Sequence, residues 1–186
     1  MADTTAALPF EWILPDGWRA ETIPFPLGFA PEVAYSGVEE LRFAPGMFKA
    51  GGEDFWTYAF VWWLAGDVQF DAATLKSDLE KYYVGLSLAV DGEGFDPEKD
   101  AAVASLHPVT GDTGIGSRWV GALSTHEPFA THTRVELHLE VEVSRARKLD
   151  RTAVTFLVSP QPPGHPVWID LVRLRDAVHE AVNAAR

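Results

Sequence analysis

Residues 55–64, FWTYAFVWWL, carry aromatic or β-branched side chains at nearly every position and lie between Gly52 and Gly66. Such a run forms a strand. Successive side chains of a strand point to opposite faces. Trp56, Tyr58, Phe60, Trp62 and Leu64 therefore share one face, and Phe55, Thr57, Ala59, Val61 and Trp63 the other. Both faces are apolar, so other parts of the chain must cover both.

Downstream, the pattern supplies a sheet for that strand to join. In residues 133–145, Val135, Leu137, Leu139, Val141 and Val143 alternate strictly with Arg134, Glu136, His138, Glu140 and Glu142. Residues 117–126 precede them across a turn near Pro128. The apolar sets of the two strands coincide when Trp119 faces Val141 and Leu123 faces Leu137, which also places Arg118 opposite Glu142 and Ser124 opposite Glu136. A slip of one residue would turn the apolar set to solvent. Residues 152–159 follow a turn at 147–150, and their register sets Val143 against Val154 and Val141 against Phe156.

Two helices are expected. Asp71 is placed to cap the first, and Leu75, Leu79, Tyr82 or Tyr83, and Leu86 recur at helical spacing. Gly85 is a stop signal, although residues 87–90 can prolong the helix. Pro166 suits the first turn of the second helix, where Trp168, Leu171, Leu174, Val178 and Val182 form an apolar stripe.

The N-terminal third, residues 1–54, is rich in Pro and Gly and contains the phrase L-x-F-A-P twice, at 27–31 and 41–45. If extended, each copy places its Leu and Phe on one side. Burying Leu27, Phe29, Leu41 and Phe43 would contribute ~1.5–3 kcal/mol each. The same echo also fits two neighbouring strands of a hairpin turning near Gly37. The fold class that follows is α+β, a single domain over residues 1–186. It has an antiparallel sheet of five to seven strands, two main helices on one face, and a Pro-rich N-terminal extended segment partly covering the other.

Composition removes several functions. The formal net charge of −12 argues against a nucleic-acid partner, which needs a basic surface to neutralise phosphates. It favours solubility. The chain has no cysteine, so disulfides, thiolate metal sites and a thiol nucleophile are excluded. The longest nearly apolar run, residues 55–65, is far short of the ~20 residues a membrane helix needs, so no membrane span is expected. The start lacks a basic and an apolar signal region, and as written the chain reads as cytoplasmic, with its native compartment open.

Glu136, His138 and Glu140 share one strand face at steps of ~6.6 Å. A histidine between two carboxylates there can converge on a metal ion or serve as a general base. The competing reading is a solvated polar face with cross-strand ion pairs such as Arg118 with Glu142. Residues 111–118, GDTGIGSR, lack the lysine of a phosphate loop and lead into a strand. Residues 91–96, DGEGFD, have glycine at the wrong place for a calcium loop. No serine sits in a G-x-S-x-G elbow. No motif calls for a cofactor. The cluster of Trp56, Tyr58 and Trp62 can form a ligand platform or ordinary core.

The phrases FPLGFAPE (25–32) and LRFAPGMF (41–48), followed by DFWTYAFVWW, resemble those of an uncharacterised bacterial protein family of unknown function, over residues 10–90. That resemblance implies no activity. Residues 14–18, LPDGW, are similar to the opening of PsbP-like domains, which implies an antiparallel sheet flanked by helices and nothing about function.

Three functions are consistent with these residues. The first is non-catalytic binding of a small, partly apolar ligand or a protein partner in a cleft between the sheet and the N-terminal segment, with Trp56, Tyr58, Trp62, Arg42, Glu136 and His138 as candidate contacts. The second is a metal-assisted hydrolase or lyase using His138, Glu136 and Glu140. The third is an assembly protein using an exposed strand edge.

Overall fold

A computed structural model describes residues 8–110 and 116–185. Most of the glycine loop at 111–115 therefore lies outside the described residues. The chain runs β1 (Arg19–Pro24), β2 (Gly37–Phe43), β3 (Tyr58–Ala65), α1 (Ala72–Asp91), β4 (Val103–Pro108), β5 (Gly116–Glu127), β6 (Thr133–Ala146), β7 (Arg151–Ser159) and α2 (Trp168–Ala184). The strands form one seven-stranded sheet in the order β1-β2-β3-β7-β6-β5-β4, antiparallel at every pairing. The fold is α+β.

The registers read from the alternation are those observed: Trp119 pairs with Val141, Leu123 with Leu137, and Arg118 with Glu142. Val143 pairs with Val154 and Val141 with Phe156. The aromatic strand β3 lies near the middle of the sheet, between β2 and β7, and both its faces are buried. Strand β4 was not foreseen. It is short, largely exposed and ends at Pro108 on the sheet edge, so it carries little of the apolar alternation that marks β6.

The helices do not share a face, contrary to the expectation from sequence. Leu75, Leu79, Tyr82 and Tyr83 of α1 pack with Phe60, Trp62, Leu139, Val141 and Phe156. Leu171, Leu174, Val178 and Val182 of α2 pack with Ala59, Val61, Trp63, Ala153 and Leu157 on the other side. The reason lies in β3 and β7. Each is apolar on both faces, and one helical stripe covers one face. The charged second face of β6 is met by cationic side chains of α2. Arg175 donates to Glu140 at 2.9 Å, and the His179 imidazole stands 2.8 Å from Glu142.

Consequently the N-terminal segment is no single flap over one face. It supplies the strands β1 and β2 themselves. Its residues before β1 lie on the α2 side, where Trp12 and Trp18 are buried and the Trp12 indole donates to the Leu174 carbonyl at 3.0 Å. Its β1–β2 connection lies on the α1 side, with Leu27 and Val33 fully buried. Of the two L-x-F-A-P phrases, the second is the end of β2 and the first is that connection.

The connection presses on α1 so closely that Gly85 is required. It sits in mid-helix, not at a stop, and a Cβ there would stand 2.2 Å from the Phe29 carbonyl oxygen. In an unobstructed helix, alanine is more stable than glycine by ~1 kcal/mol. Here the sign reverses, and Gly85→Ala is expected to lower the melting temperature. A rise on thermal unfolding would show that the connection does not seat against α1.

Candidate functional site

The aromatic core on the α1 face ends in a cavity of about 250 Å³. Ile23, Leu41 and Phe43 of the β1–β2 pair form its floor, Leu86 and Val90 of α1 its roof, and Phe29 of the β1–β2 connection one wall. The loop between β2 and β3 closes the opposite wall with Met47, Phe48 and Trp56. This loop is held by Asp54, which accepts from the Gly46 amide at 2.7 Å, and by the Trp56 amide bonding to the Met47 carbonyl at 2.9 Å. Across the mouth, Phe129 from the β5–β6 turn meets Phe48 edge-on at 5.1 Å. Phe48, Val90 and Phe129 are among the exposed large apolar side chains, at 40%, 45% and 36%, so the rim is apolar as well.

Two polar features stand out in this apolar setting. Trp56 has the left-handed backbone angle φ 45°, which costs a bulky residue of order ~1–3 kcal/mol. Its indole Nε1 is buried and has no hydrogen-bond partner among the described residues. Glu39 is fully buried. Its Oε1 accepts from the Trp62 indole at 3.0 Å, whereas Oε2 makes no hydrogen bond of good geometry, although the Tyr82 hydroxyl stands beside it. Burial pushes the Glu39 carboxyl up to about 8, helped by the Glu21 charge and opposed by Trp62 and Tyr82. Tyr82 is thus both a wall of the cavity and the neighbour of Glu39. Burial, and then the Glu39 charge, raise its own hydroxyl well above the usual tyrosine range.

The candidate contacts named from sequence divide between the two faces. Trp56 and Tyr58 line the cavity, with the Tyr58 hydroxyl bonded to that of Tyr83. Trp62 lies on the same face, fully buried beside Glu39. Arg42 is on the α2 side and anchors the N-terminal chain. It donates to the Trp12 and Ile13 carbonyls at 3.2 Å and lies 4.5 Å over the Trp12 ring. Glu136, His138 and Glu140 share the α2-side face of β6, away from the cavity. Glu136 is exposed and His138 half-buried, and the Glu140 Oε2 is taken by Arg118 at 3.0 Å and Arg175 at 2.9 Å. Their ligand atoms do not converge. Among the described residues, the three that place donor atoms within 4.8 Å of one another are Asp91, His126 and His132.

Sequence reasoning missed Glu39, although a signal was present. It shares strand parity with Leu41 and Phe43, so it faces the core. Phe129 and Phe48 had no local signal, because their meeting is set by the tertiary fold. Comparison with known proteins finds no matching family model, no matching curated protein and no matching solved structure. These comparisons bear neither way on the bacterial family or on the PsbP-like echo. What defines the molecule is its own geometry: an α+β sheet protein with an apolar pocket at one end of the α1 face. Among the described residues no helix is long and apolar enough to cross a membrane.

Glu39 makes stability depend on pH. Its native pKa of about 8 lies above the ordinary 4.5, so the folded chain binds the proton more tightly. Its unfavourable contribution is absent below the lower value and grows as pH rises to the higher one. Unfolding free energies of wild type and Glu39→Gln, measured by denaturant titration across pH 4.5 to 8, should diverge, with the variant gaining on wild type as pH increases. A constant difference across that window would contradict the burial-raised carboxyl.

Proposed function

We propose that the protein binds a small, largely apolar molecule carrying one hydrogen-bond acceptor, in the pocket between the β1–β3 end of the sheet, α1 and the N-terminal loops, without performing chemistry on it. The observation that carries this reading is the apolar cavity itself, open through an apolar rim and walled in part by Trp56, whose buried indole N–H has no partner among the described residues. An unmet buried donor costs ~1–3 kcal/mol, and an acceptor on a ligand removes that cost. The volume of about 250 Å³ exceeds the ~150 Å³ that admits benzene and falls below the ~300–1,000 Å³ of drug-sized sites. It suits a single substituted ring or a short chain. Glu21 is the charged residue of the lining and the chain carries −12, so a neutral acceptor such as a ketone, ester or ether is favoured over a carboxylate. A metal-assisted reaction on Glu136, His138 and Glu140 is not favoured, since two arginines hold Glu140.

Acetophenone, ethylbenzene and benzoate separate these requirements. Acetophenone is expected to shift Trp emission and raise the melting temperature, with ethylbenzene weaker and benzoate silent. Trp56→Phe should weaken acetophenone by ~10-fold, the worth of one hydrogen bond, and leave ethylbenzene unchanged. Leu86→Trp, which fills the pocket, should abolish both. Equal responses in wild type and Leu86→Trp would place binding elsewhere and defeat the proposal.

A further inference from the structure

We propose that Asp91, His126 and His132 form a site for a divalent transition-metal ion of the zinc type. The inference is independent of the ligand pocket, and two segments distant in sequence build it, the end of α1 and the β5–β6 hairpin. Asp91 is the last residue of α1. His126 is near the end of β5, and His132 lies in the turn before β6. The Asp91 Oδ2 stands 2.9 Å from His126 Nε2 and 2.7 Å from His132 Nδ1, and all three donor atoms lie within 4.8 Å of one another.

Each ligand is held by its surroundings. His126 is only 2% exposed, and its ring is edge-on to Phe95 at 5.8 Å. His132 adopts the left-handed φ of 52°, a conformation that persists where the surrounding structure imposes it. The imposing group is Glu127. Its fully buried carboxylate accepts five hydrogen bonds from Phe129, Ala130 and Thr131, at 2.6 to 3.2 Å, which freezes the turn that presents His132. Around Asp91 the chain folds back so tightly that a Cβ on Gly94 would stand 2.5 Å from its Oδ1.

The electrostatics call for a cation. Asp91 sits at the C-terminal end of a helix of 20 residues, where the aligned peptide dipoles are negative and a carboxylate is disfavoured. It is nevertheless met there by both imidazoles at hydrogen-bond distance. A metal ion satisfies the same carboxylate more completely than a shared proton does. Two imidazoles and one carboxylate suit zinc and its neighbours, whereas calcium and magnesium require oxygen ligands. Donors ~2.0–2.2 Å from a tetrahedral ion stand ~3.3–3.5 Å apart, so entry of the ion spreads the present contacts by about half an ångström. Three protein donors leave a coordination position for water or another ligand. The two segments that carry the cluster, the last turn of α1 and the β5–β6 turn, also give the apolar pocket its Val90 and Phe129.

The test uses the full, untagged chain stripped with a chelator and titrated with zinc, followed by calorimetry and thermal unfolding. One equivalent should bind and raise the melting temperature, while magnesium and calcium at equal concentration leave it unchanged. His132→Ala and Asp91→Asn should each weaken zinc by ~100-fold or more, and His107→Ala, on the distant edge strand β4, should not. Because His132 is exposed, its alanine variant should fold with a zinc-free melting temperature near wild type, which keeps the test valid if Asp91→Asn is unstable. Failure of the wild type to take up zinc would overturn the site and leave a hydrogen-bonded clasp. Uptake that persists in His132→Ala, or that is lost in His107→Ala, would overturn it too.

Discussion

Strand β3 has to be buried on both sides, and the arrangement of every other element answers that demand. Phe60 stacks on Phe156 at 4.3 Å and on Tyr82 at 5.3 Å, so strand, neighbouring strand and helix are joined through one ring on the α1 side. Such aromatic pairs contribute ~0.5–1.5 kcal/mol beyond the burial itself. On the reverse side small residues stand among the larger ones. Ala59 and Ala153 let α2 approach, and Val61, Trp63 and Leu157 complete its seat. The two faces differ in kind: a layer of stacked rings under α1, and under α2 a mixed layer of alanine, aliphatic and tryptophan side chains that Trp12 and Trp18 extend.

The N-terminal third contributes to both layers, which explains its density of proline and glycine. A chain that must cross the α2 face, enter the sheet as β1, pass under α1 and return as β2 needs frequent changes of direction. Arg42 ties the first crossing down through two carbonyls and the Trp12 ring. Gly85 admits the second crossing. The cavity lies where this second crossing and the end of α1 both reach the β1–β2 corner of the sheet. A helix and an irregular loop cannot together fill the corner of a twisted sheet as a second helix would, so space remains there.

Legibility from sequence followed the range of the interaction. The β5–β6–β7 registers were readable because strict alternation fixes pairing within neighbouring strands. The cap at Asp71 was readable because it is local, its side chain accepting from the Thr74 amide three residues on. Helix placement was not, because the second face of β6 appears charged until Arg175 and His179 come over it. Trp56 and Tyr58 were singled out because a strand with two apolar faces is conspicuous, and both line the cavity. Arg42, Glu136 and His138 belong to the opposite face, a fact that depends on which way the whole sheet turns its parity. In the Asp91, His126 and His132 cluster only the two histidines are near in sequence, within one hairpin; Asp91, at the end of α1, meets them only through the fold.

A sequence serving stability alone would not keep Glu39 or the Trp56 indole as they are. Glutamine at position 39 would remove a buried ionisable group, and phenylalanine at 56 would remove an unmet donor. Each change would keep most of the packed volume and relieve a cost of the order of ~1–3 kcal/mol. Glu39 joins the cavity only through Tyr82, whereas Trp56 forms its wall directly, so the two need not share a purpose. The unmet donor is the stronger sign of use, because its cost disappears when a complementary group enters. The strained backbone at Trp56 points the same way, since local rules are broken most often where a protein meets its ligand. Under the proposed binding role, the pocket and the fold compete at this residue, and its backbone strain and unmet donor are the costs that a ligand would offset.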